Sequence, residues 1–314
     1  MPQALPGFAG VIDKRALARL AARDDVESRI VEWHGKTRKT RHGPFEKVIF
    51  RESRSTLLVS GVNLHADAAD ALLRRFAFIP QARLDDVMVS YATPGGGVGP
   101  HVDSYDVFLL QGPGRRRWRV VRKEYIAHPG DLLYLPPGIE HDGVALDECY
   151  TYSIGFRAPR GTELGAAFLD WLHERGLPDA AYRDPGLAPA LRAARIPPAM
   201  LAFSEKVLAR IRWSRRDVID FLGRYLSSPK PHVVFRPVNS RGDMVRLDPK
   251  TSLLYYGERF FINGEALSVG HPRLLRKLAD RRAADRAFLA PLASLIAEWR
   301  RAGYVHYASK EHDG

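Results

Sequence analysis

The stretch PGGGVGPHVDSYDVFLLQGPGRRRWRVV, residues 94–121, decides both the fold and the chemistry expected of this chain. It holds two strand-like apolar runs, VFLLQ and RWRVV, separated by turns rich in Gly and Pro. In a strand, residues two apart point to the same face of the sheet. His101 and Asp103 of the HVD motif therefore present an imidazole and a carboxylate together, which supplies two ligands of a facial metal site.

A third ligand is expected from a neighbouring strand, and PPGIEHDG offers His141 just after a Pro-Pro-Gly turn. Two histidines with one carboxylate leave open coordination positions, and this set is diagnostic of non-haem Fe(II) oxygenases. The competing interpretation is a group of surface side chains in loops. An isolated HxD pattern is common, so the prediction depends on the Gly-rich turn before it, the basic run after it and the second histidine.

A dicarboxylate co-substrate at such a site needs a cation, and an arginine fork grips a carboxylate through two parallel hydrogen bonds. The strand that follows the GPG turn carries four arginines. Arg115, Arg117 and Arg119 share one face of this strand, and Arg116 lies on the other face beside Trp118. If the first three are solvated or bind a partner, Arg116 alone faces inward.

The apolar periodicity divides the chain into regions. Residues 13–31 have helical spacing, and residues 47–156 contain many short strand-like runs, which are typical of a sandwich or barrel. After Pro159, Thr162 can cap a helix, and a second helical stretch covers residues 200–226. The C-terminal part then predicts strands VVFRPV, MVRLD and LLYYGERFFING, followed by helices over 272–287 and 291–301.

Composition narrows the class of protein. With 45% hydrophobic and 27% charged residues, the chain is in the globular range. The net charge of +12, from 48 Lys and Arg against 36 Asp and Glu, favours encounters with polyanions or merely decorates a solvated surface. The single cysteine, Cys149, excludes an intramolecular disulfide and predicts a reducing compartment. It lies in an apolar run and is expected to pack rather than react.

Four stretches resemble the bacterial ribosomal oxygenases, a JmjC-type branch of the 2-oxoglutarate oxygenases: GGGVGPHVDSYDVFLLQGPGRRRWRV, LDDVMVSY, PGDLLYLPPGIEHDGVAL and YSIGFRAP. The likeness covers almost the whole chain. It implies a mixed α+β protein, with a double-stranded β-helix (a JmjC or cupin-like barrel) over residues 1–158. A helical dimerisation segment over 159–228 and a winged-helix-like domain over 229–314 are expected to follow. Family members usually have a longer stretch between RWRVV and HPGD.

The resemblance also implies roles for individual residues. Iron would be bound by His101, Asp103 and His141, and 2-oxoglutarate would be held by Arg116, in agreement with the alternation along its strand. Ser90 matches a family position beside the co-substrate, although a strand serine facing solvent is the alternative. The nearby candidates for holding a cationic substrate side chain are Tyr91, Tyr105, Asp106 and Asp142.

The function implied is an Fe(II)- and 2-oxoglutarate-dependent oxygenase that hydroxylates an arginine of large-subunit ribosomal protein sixteen. A cytoplasmic homodimer without a membrane segment is expected, and its basic surface is a candidate for contact with ribosomal RNA. Two alternatives stay open: a catalytically silent factor that binds ribosome or RNA, and a JmjC-type lysine demethylase. The complete triad with Arg116 favours an enzyme, because a pure binding module has no use for an open iron site.

Overall fold

The N-terminal region contributes one helix and three strands to the fold. The computed structural model describes residues 1–50, 53–183, 185–186 and 188–310. Helix α1 (Lys14–Ala21) begins where Asp13 Oδ1 accepts a hydrogen bond of 2.7 Å from the Ala16 N–H. The next elements are β1 (Ser28–His34), β2 (Thr37–His42) and β3 (Ser55–Val59).

The prediction of a helix over residues 13–31 is therefore wrong for the residues after Ala21. Its apolar positions Val26 and Ile30 are buried, but Ile30 lies in β1, opposite Leu57 of β3. β-branched side chains pack well on a pleated surface, and cross-strand pairing with β3 outweighs the local helical spacing.

Eight antiparallel strands form the predicted barrel. Their bounds are β4 (Leu84–Ala92), β5 (His101–Val102), β6 (Val107–Gln111), β7 (Arg116–Val120), β8 (Lys123–Ala127), β9 (Leu132–Leu135), β10 (Glu140–Ala145) and β11 (Cys149–Phe156). The short interval between the RWRVV and HPGD motifs still accommodates β8, so it does not remove a barrel strand.

The barrel strands are divided between two sheets, and β7 and β8 are the one consecutive pair of β4–β11 that shares a sheet. The larger sheet has the order β2-β1-β3-β4-β11-β6-β9, and the smaller one has the order β5-β10-β7-β8. Successive barrel strands thus come from both sheets, as in a double-stranded β-helix, and the predicted fold class is confirmed. Helix α2 (Asp67–Arg74) and α1 pack against the outside of the larger sheet, where Leu17, Leu72 and Val89 belong to one buried core.

Cys149 begins β11 and is fully buried opposite Ala92 of β4. The backbone of Gly114 crosses directly over it, because a Cβ added at Gly114 would lie 2.6 Å from the Cys149 Cβ. The expectation that this thiol packs in the protein interior is confirmed.

Three helices follow the barrel: α3 (Gly161–Glu174), α4 (Pro198–Leu208) and α5 (Arg215–Ser227). Thr162 is not the cap of α3, since the N-cap position is Arg160, whose N–H donates to Glu163 at 3.1 Å. The single helix predicted over 200–226 is two helices. Ser214 starts a new one with a capping box, in which its hydroxyl accepts from the N–H of Asp217.

The C-terminal region is a small α+β unit. Its elements are β12 (Met244–Leu247), β13 (Leu253–Tyr256), β14 (Arg259–Ile262), β15 (Glu265–Leu267), α6 (Pro272–Arg281), β16 (Ala283–Asp285), α7 (Ala293–Ala302) and β17 (Val305–Ala308). Residues 233–238, predicted as a strand, are irregular. Helix α6 is shorter than predicted because Arg282 adopts a left-handed conformation at its end (φ 56°). The apolar stripe of α7 is buried as predicted, at Ile296 and Trp299.

No helix within the described part of the chain is long and apolar enough to span a bilayer. The predicted boundaries between the three regions, at residues 158 and 228, stay predictions.

Candidate functional site

Three side chains with metal-ligand chemistry meet on the smaller sheet. His101 lies on β5 and His141 lies directly opposite on β10. Asp103 follows two residues after His101, and one ligand atom from each of the three lies within 4.8 Å of the others. The Asp103 carboxylate is 3.6 Å from His141 Nε2. The spacing-based expectation that these residues converge thus holds in the structure.

Both imidazoles are oriented by backbone carbonyls. His101 Nδ1 lies 2.9 Å from the Gly99 oxygen, and His141 Nδ1 lies 3.0 Å from the Ile139 oxygen. A carbonyl only accepts hydrogen bonds, so each Nδ1 must donate, and in the neutral imidazole this leaves the Nε2 lone pair for a cation. Two neutral imidazoles and a carboxylate fit a divalent transition metal with open positions.

The three side chains line a cavity of about 300 Å³ inside the barrel, and the part of the wall that they form together with Arg116 is called the floor. The larger sheet lines this cavity with alternate residues of its strands, as the period of two requires. Ser90 of β4 and Thr151 of β11 are paired across the sheet, and both side chains are buried in the wall. The Ser90 hydroxyl donates weakly to the Thr151 carbonyl at 3.5 Å, so it is not held by a strong internal partner.

Arg116 extends from β7 into the same cavity and is only 5% exposed. Its neighbours Arg115, Arg117 and Arg119 are exposed, as the alternation along the strand predicts. The Nε and Nη2 atoms of Arg116 are buried without a hydrogen-bond partner among the described residues. A buried guanidinium with free donors is costly unless a ligand supplies an anion. Arg116 therefore offers an anionic ligand two buried donors at this position of the cavity.

A second part of the cavity wall is acidic; it consists of Asp85, Asp86, Tyr105 and Lys230 and is called the mouth. Asp86 Oδ2 accepts from the Gly61 N–H at 2.9 Å, and Lys230 Nζ lies 3.1 Å from Asp85 and 3.6 Å from Asp86. Arg157 Nε lies on the other side of Asp85, at 3.4 Å. Burial raises the pKa of Asp86, although the neighbouring Lys230 opposes this effect. Burial also raises the pKa of Tyr105 to about 12, so this phenol is a neutral donor in the wall.

Of the four residues considered for a cationic substrate side chain, the structure places Tyr105 at the cavity. Tyr91 is 1% exposed and packs in the core against Phe50. Asp106 accepts from the Tyr134 hydroxyl at 2.6 Å, and Asp142 pairs with the exposed Arg119 at 3.5 Å. These three do not line the cavity.

The sequence patterns predict no role for Asp85, Asp86 or Lys230. Counting back from Ser90 in steps of two along β4 reaches Met88 and Asp86, so alternation is a signal that finds Asp86. Lys230 lies 145 residues from Asp85, and no local pattern connects them.

Comparison with known proteins gives consistent results. A family profile described as a JmjC domain matches residues 71–127 and 121–164, and one described as a ROXA-like winged helix matches residues 210–306. The chain is 33% identical over 339 aligned residues to the ribosomal protein uL16 3-hydroxylase of Escherichia coli K12, covering 92% of this chain and 91% of the relative. A probable ribosomal oxygenase of Haemophilus influenzae is 34% identical, covering 51% of this chain and 46% of that protein.

Solved structures agree with the sequence relatives. The Escherichia coli ribosomal oxygenase YcfD, solved in complex with cobalt and 2-oxoglutarate, superposes with a TM-score of 0.83 at 32% identity. The superposition covers 98% of this chain and 93% of that one. The similarity therefore extends over the barrel, the helical segment and the C-terminal unit.

Proposed function

This chain belongs to the JmjC-type ribosomal oxygenases, and from that premise we propose that it uses Fe(II) and 2-oxoglutarate to hydroxylate an arginine side chain of ribosomal protein uL16. The family makes it a 2-oxoglutarate-dependent oxygenase acting on a ribosomal protein. The Escherichia coli relative is named for hydroxylation of uL16. The observation that carries the proposal is the convergence of the triad and the unpartnered Arg116 in one cavity.

His101, Asp103 and His141 would hold the iron. Bound Fe(II) supplies the activation of dioxygen, coupled to conversion of 2-oxoglutarate to succinate and carbon dioxide. The protein's part is to keep the imidazoles in one tautomer through the Gly99 and Ile139 carbonyls and to leave coordination positions open. Fixed ligands place the reacting group at a defined distance from one carbon of the substrate.

Arg116 would bind the distal carboxylate of 2-oxoglutarate. Its Nε and Nη2 donors match the two oxygens of a carboxylate, and their burial makes this contact strong because water does not compete for it. Ser90 would donate its hydroxyl to the same co-substrate, since its internal hydrogen bond is weak. Both residues are proposed to orient the co-substrate rather than to react.

Asp85, Asp86 and Tyr105 would receive the cationic substrate side chain at the mouth. A guanidinium presents five donors, which two carboxylates and a phenol oxygen can accept. This acidic mouth favours an arginine substrate over a neutral one.

The two competing functions are less well supported. A silent RNA- or ribosome-binding factor has no use for a buried arginine whose donors face a cavity beside a three-ligand cluster. A lysine demethylase shares the iron chemistry, but the relative that aligns with 92% of this chain, over 91% of its own length, is a ribosomal protein hydroxylase.

The proposal is tested by anaerobic reconstitution with Fe(II) and 2-oxoglutarate, followed by exposure to oxygen with recombinant uL16. We expect succinate formation and addition of one oxygen to an arginine, located by tandem mass spectrometry, and loss of both signals in His101→Ala and Arg116→Ala. Succinate without a modified uL16 would contradict the substrate but keep the oxygenase. Iron binding with neither signal would favour the silent factor.

We also propose a cytoplasmic homodimer formed through the helical segment. Large apolar side chains on α3, α4 and the turn before α5 are exposed, among them Leu169 (63%), Leu201 (57%), Leu208 (63%) and Trp213 (57%). Exposed apolar surface of this kind marks an interface, and a second copy covers it symmetrically. Light scattering of the purified chain, compared with Leu201→Glu, tests this. A monomeric parent chain would contradict it.

Contact with ribosomal RNA through the basic surface is proposed on the net charge of +12. Binding of a ribosomal RNA fragment that weakens steeply with salt would support this contact. Equal binding of an unrelated polyanion would show that the contact with ribosomal RNA is a general effect of charge and is not specific.

A further inference from the structure

Lys230 reaches the mouth of the cavity from a distant part of the chain. It lies in the segment that follows α5, and its side chain lines the same cavity as His101 and Arg116. Its ammonium contacts both acidic residues of the mouth, at 3.1 Å from Asp85 and 3.6 Å from Asp86. A cation of the protein itself thus occupies the position proposed for the cation of the substrate.

The backbone around Lys230 is held from three sides. Arg157 Nη1 donates to the Leu226 carbonyl at 2.6 Å, and the Gly264 N–H donates to the Ser227 hydroxyl at 3.1 Å. The Val233 N–H closes a turn on the Lys230 carbonyl at 2.9 Å. The side chain, by contrast, is flexible by chemistry and 35% exposed. It can therefore leave the mouth for solvent while the backbone stays in place.

The charges at the mouth balance when Lys230 is inside. Asp103 would be compensated by the metal and Arg116 by the co-substrate, which leaves Glu27, Asp85 and Asp86 as the acids. Apart from Arg116, the lining contains two side chains that carry a positive charge, Arg29 and Lys230. Arg157 pairs with Asp85 from outside the lining, which makes three cations against three acids. An arriving guanidinium would add an uncompensated positive charge in a partly buried site. Removal of one resident cation restores the balance.

We propose that Lys230 is a specificity residue, an internal occupant of the cation position that a cationic substrate side chain must displace. This inference rests on the proposed cationic substrate. The exchange requires no covalent step, because one ammonium leaves two carboxylates as one guanidinium arrives.

The exchange also discriminates between substrates. A lysine side chain offers the carboxylates another compact ammonium and gains little over the resident one. A guanidinium offers a planar fork that bridges two carboxylates with parallel hydrogen bonds. An arginine side chain therefore displaces Lys230 from the two carboxylates, whereas a lysine side chain does not gain enough binding free energy to do so.

The test measures binding of acetyl-arginine amide and its neutral isostere acetyl-citrulline amide to the full chain, loaded anaerobically with Fe(II) and 2-oxoglutarate. Lys230→Met is compared with the parent chain, with Lys230→Arg and with Lys36→Met, which removes an equal charge from an exposed hairpin turn. If the ammonium occupies the mouth in about nine molecules of ten, its removal tightens binding of the cation about tenfold.

We expect tighter binding of the arginine amide in Lys230→Met, unchanged binding of the citrulline amide and an unchanged Lys36→Met. For uL16 hydroxylation the KM is expected to fall by a similar factor at constant kcat. Lys230→Arg, a better occupant, is expected to raise the KM. A merely structural role predicts the opposite, since a loosened mouth weakens binding of both amides.

Unchanged or weaker binding of the arginine amide in Lys230→Met would overturn the proposal. Failure of the proposed function is distinguishable from this result. If uL16 is not hydroxylated by the parent chain but the amide still binds more tightly to Lys230→Met, uL16 is the wrong substrate and the role of Lys230 stands. If uL16 is hydroxylated and Lys230→Met changes neither binding nor KM, the role of Lys230 is wrong.

Discussion

The floor and the mouth of the cavity are built in different ways. The floor consists of His101, Asp103, His141 and Arg116, all from the smaller sheet or the residue after it, within one 41-residue stretch from 101 to 141. The Nε and Nη2 donors of Arg116 lack partners among the described residues. At the mouth, Asp85 is already paired with two cations. The floor is thus ready to receive ligands, whereas the mouth must exchange one partner for another.

The largest effect is expected from a change at the floor. His141→Ala removes a proposed metal ligand that is 3% exposed and oriented by the Ile139 carbonyl. Loss of residues that only support metal ligands costs about 10- to 100-fold, so loss of a ligand is expected to lower turnover by at least about 100-fold. Iron content and succinate formation measure it. His128→Ala, at an exposed turn, is the control. Full iron content in His141→Ala would contradict the assignment.

The next effect separates the two faces of β7. Arg116→Met removes the buried guanidinium, and Arg117→Met removes the next, exposed one. Truncating one partner of a buried charged pair costs about 2–5 kcal/mol, so the KM for 2-oxoglutarate is expected to rise about 100-fold in Arg116→Met. Arg117→Met is expected to match the parent chain. Equal effects of both changes would show that the alternation has no functional meaning.

A smaller effect is expected at the mouth, where Asp86→Asn removes a negative charge and keeps the shape. The KM for uL16 is expected to rise about tenfold while the KM for 2-oxoglutarate stays constant, because the floor is untouched. Asp67→Asn, at an exposed position in the first turn of α2, is the control. A rise in the KM for 2-oxoglutarate instead would show that the floor and the mouth do not bind their ligands independently.

The smallest effect concerns stability near the segment that carries Lys230. Burial lowers the pKa of His65 to about 4, and the neighbouring charge of Arg23 adds to this. The unfolded chain therefore binds more protons than the folded one between pH 6.5 and 4, so stability falls as the pH falls through this window. At pH 5.5 the expected loss relative to pH 7.5 is at most about 1 kcal/mol, because solvent screens the partly exposed imidazole.

Urea unfolding of His65→Gln at the two pH values measures this effect. The variant is expected to lose less stability on acidification than the parent chain. His173→Gln, an exposed histidine on α3, should behave as the parent. An identical pH dependence in His65→Gln would remove His65 as the cause.

The contrast between the floor and the mouth also explains which parts of the site could be predicted from the sequence. The floor was predictable because HVD and the RRR run express local strand alternation, and Arg116 is buried as that alternation requires. The stretch around Ile30 was misassigned, because its spacing suits a helix as well as a strand and only the distant β3 decides between them. Lys230 was out of reach, since no local pattern indicates a contact across 145 residues.

Residues 233–238 show the converse error. VVFRPV has strand-forming residues but stays irregular, since β-propensity is realised only where a neighbouring strand completes the ladder. Pro237 also lacks the N–H that such a ladder uses. Strand alternation was thus more reliable than β-propensity alone, whereas helical spacing failed where a distant strand competed for the same residues.

The buried position of Cys149 makes this thiol an intrinsic probe of barrel opening. Since this is the only cysteine in the sequence and its side chain is fully buried at the start of β11, a thiol reagent can modify it only when that part of the barrel opens. The rate of labelling therefore reports barrel opening alone, without a signal from the C-terminal unit. If Fe(II) and 2-oxoglutarate bind at the floor, they are expected to slow this labelling. The ratio of the labelling rates with and without them then measures how strongly they hold the barrel closed.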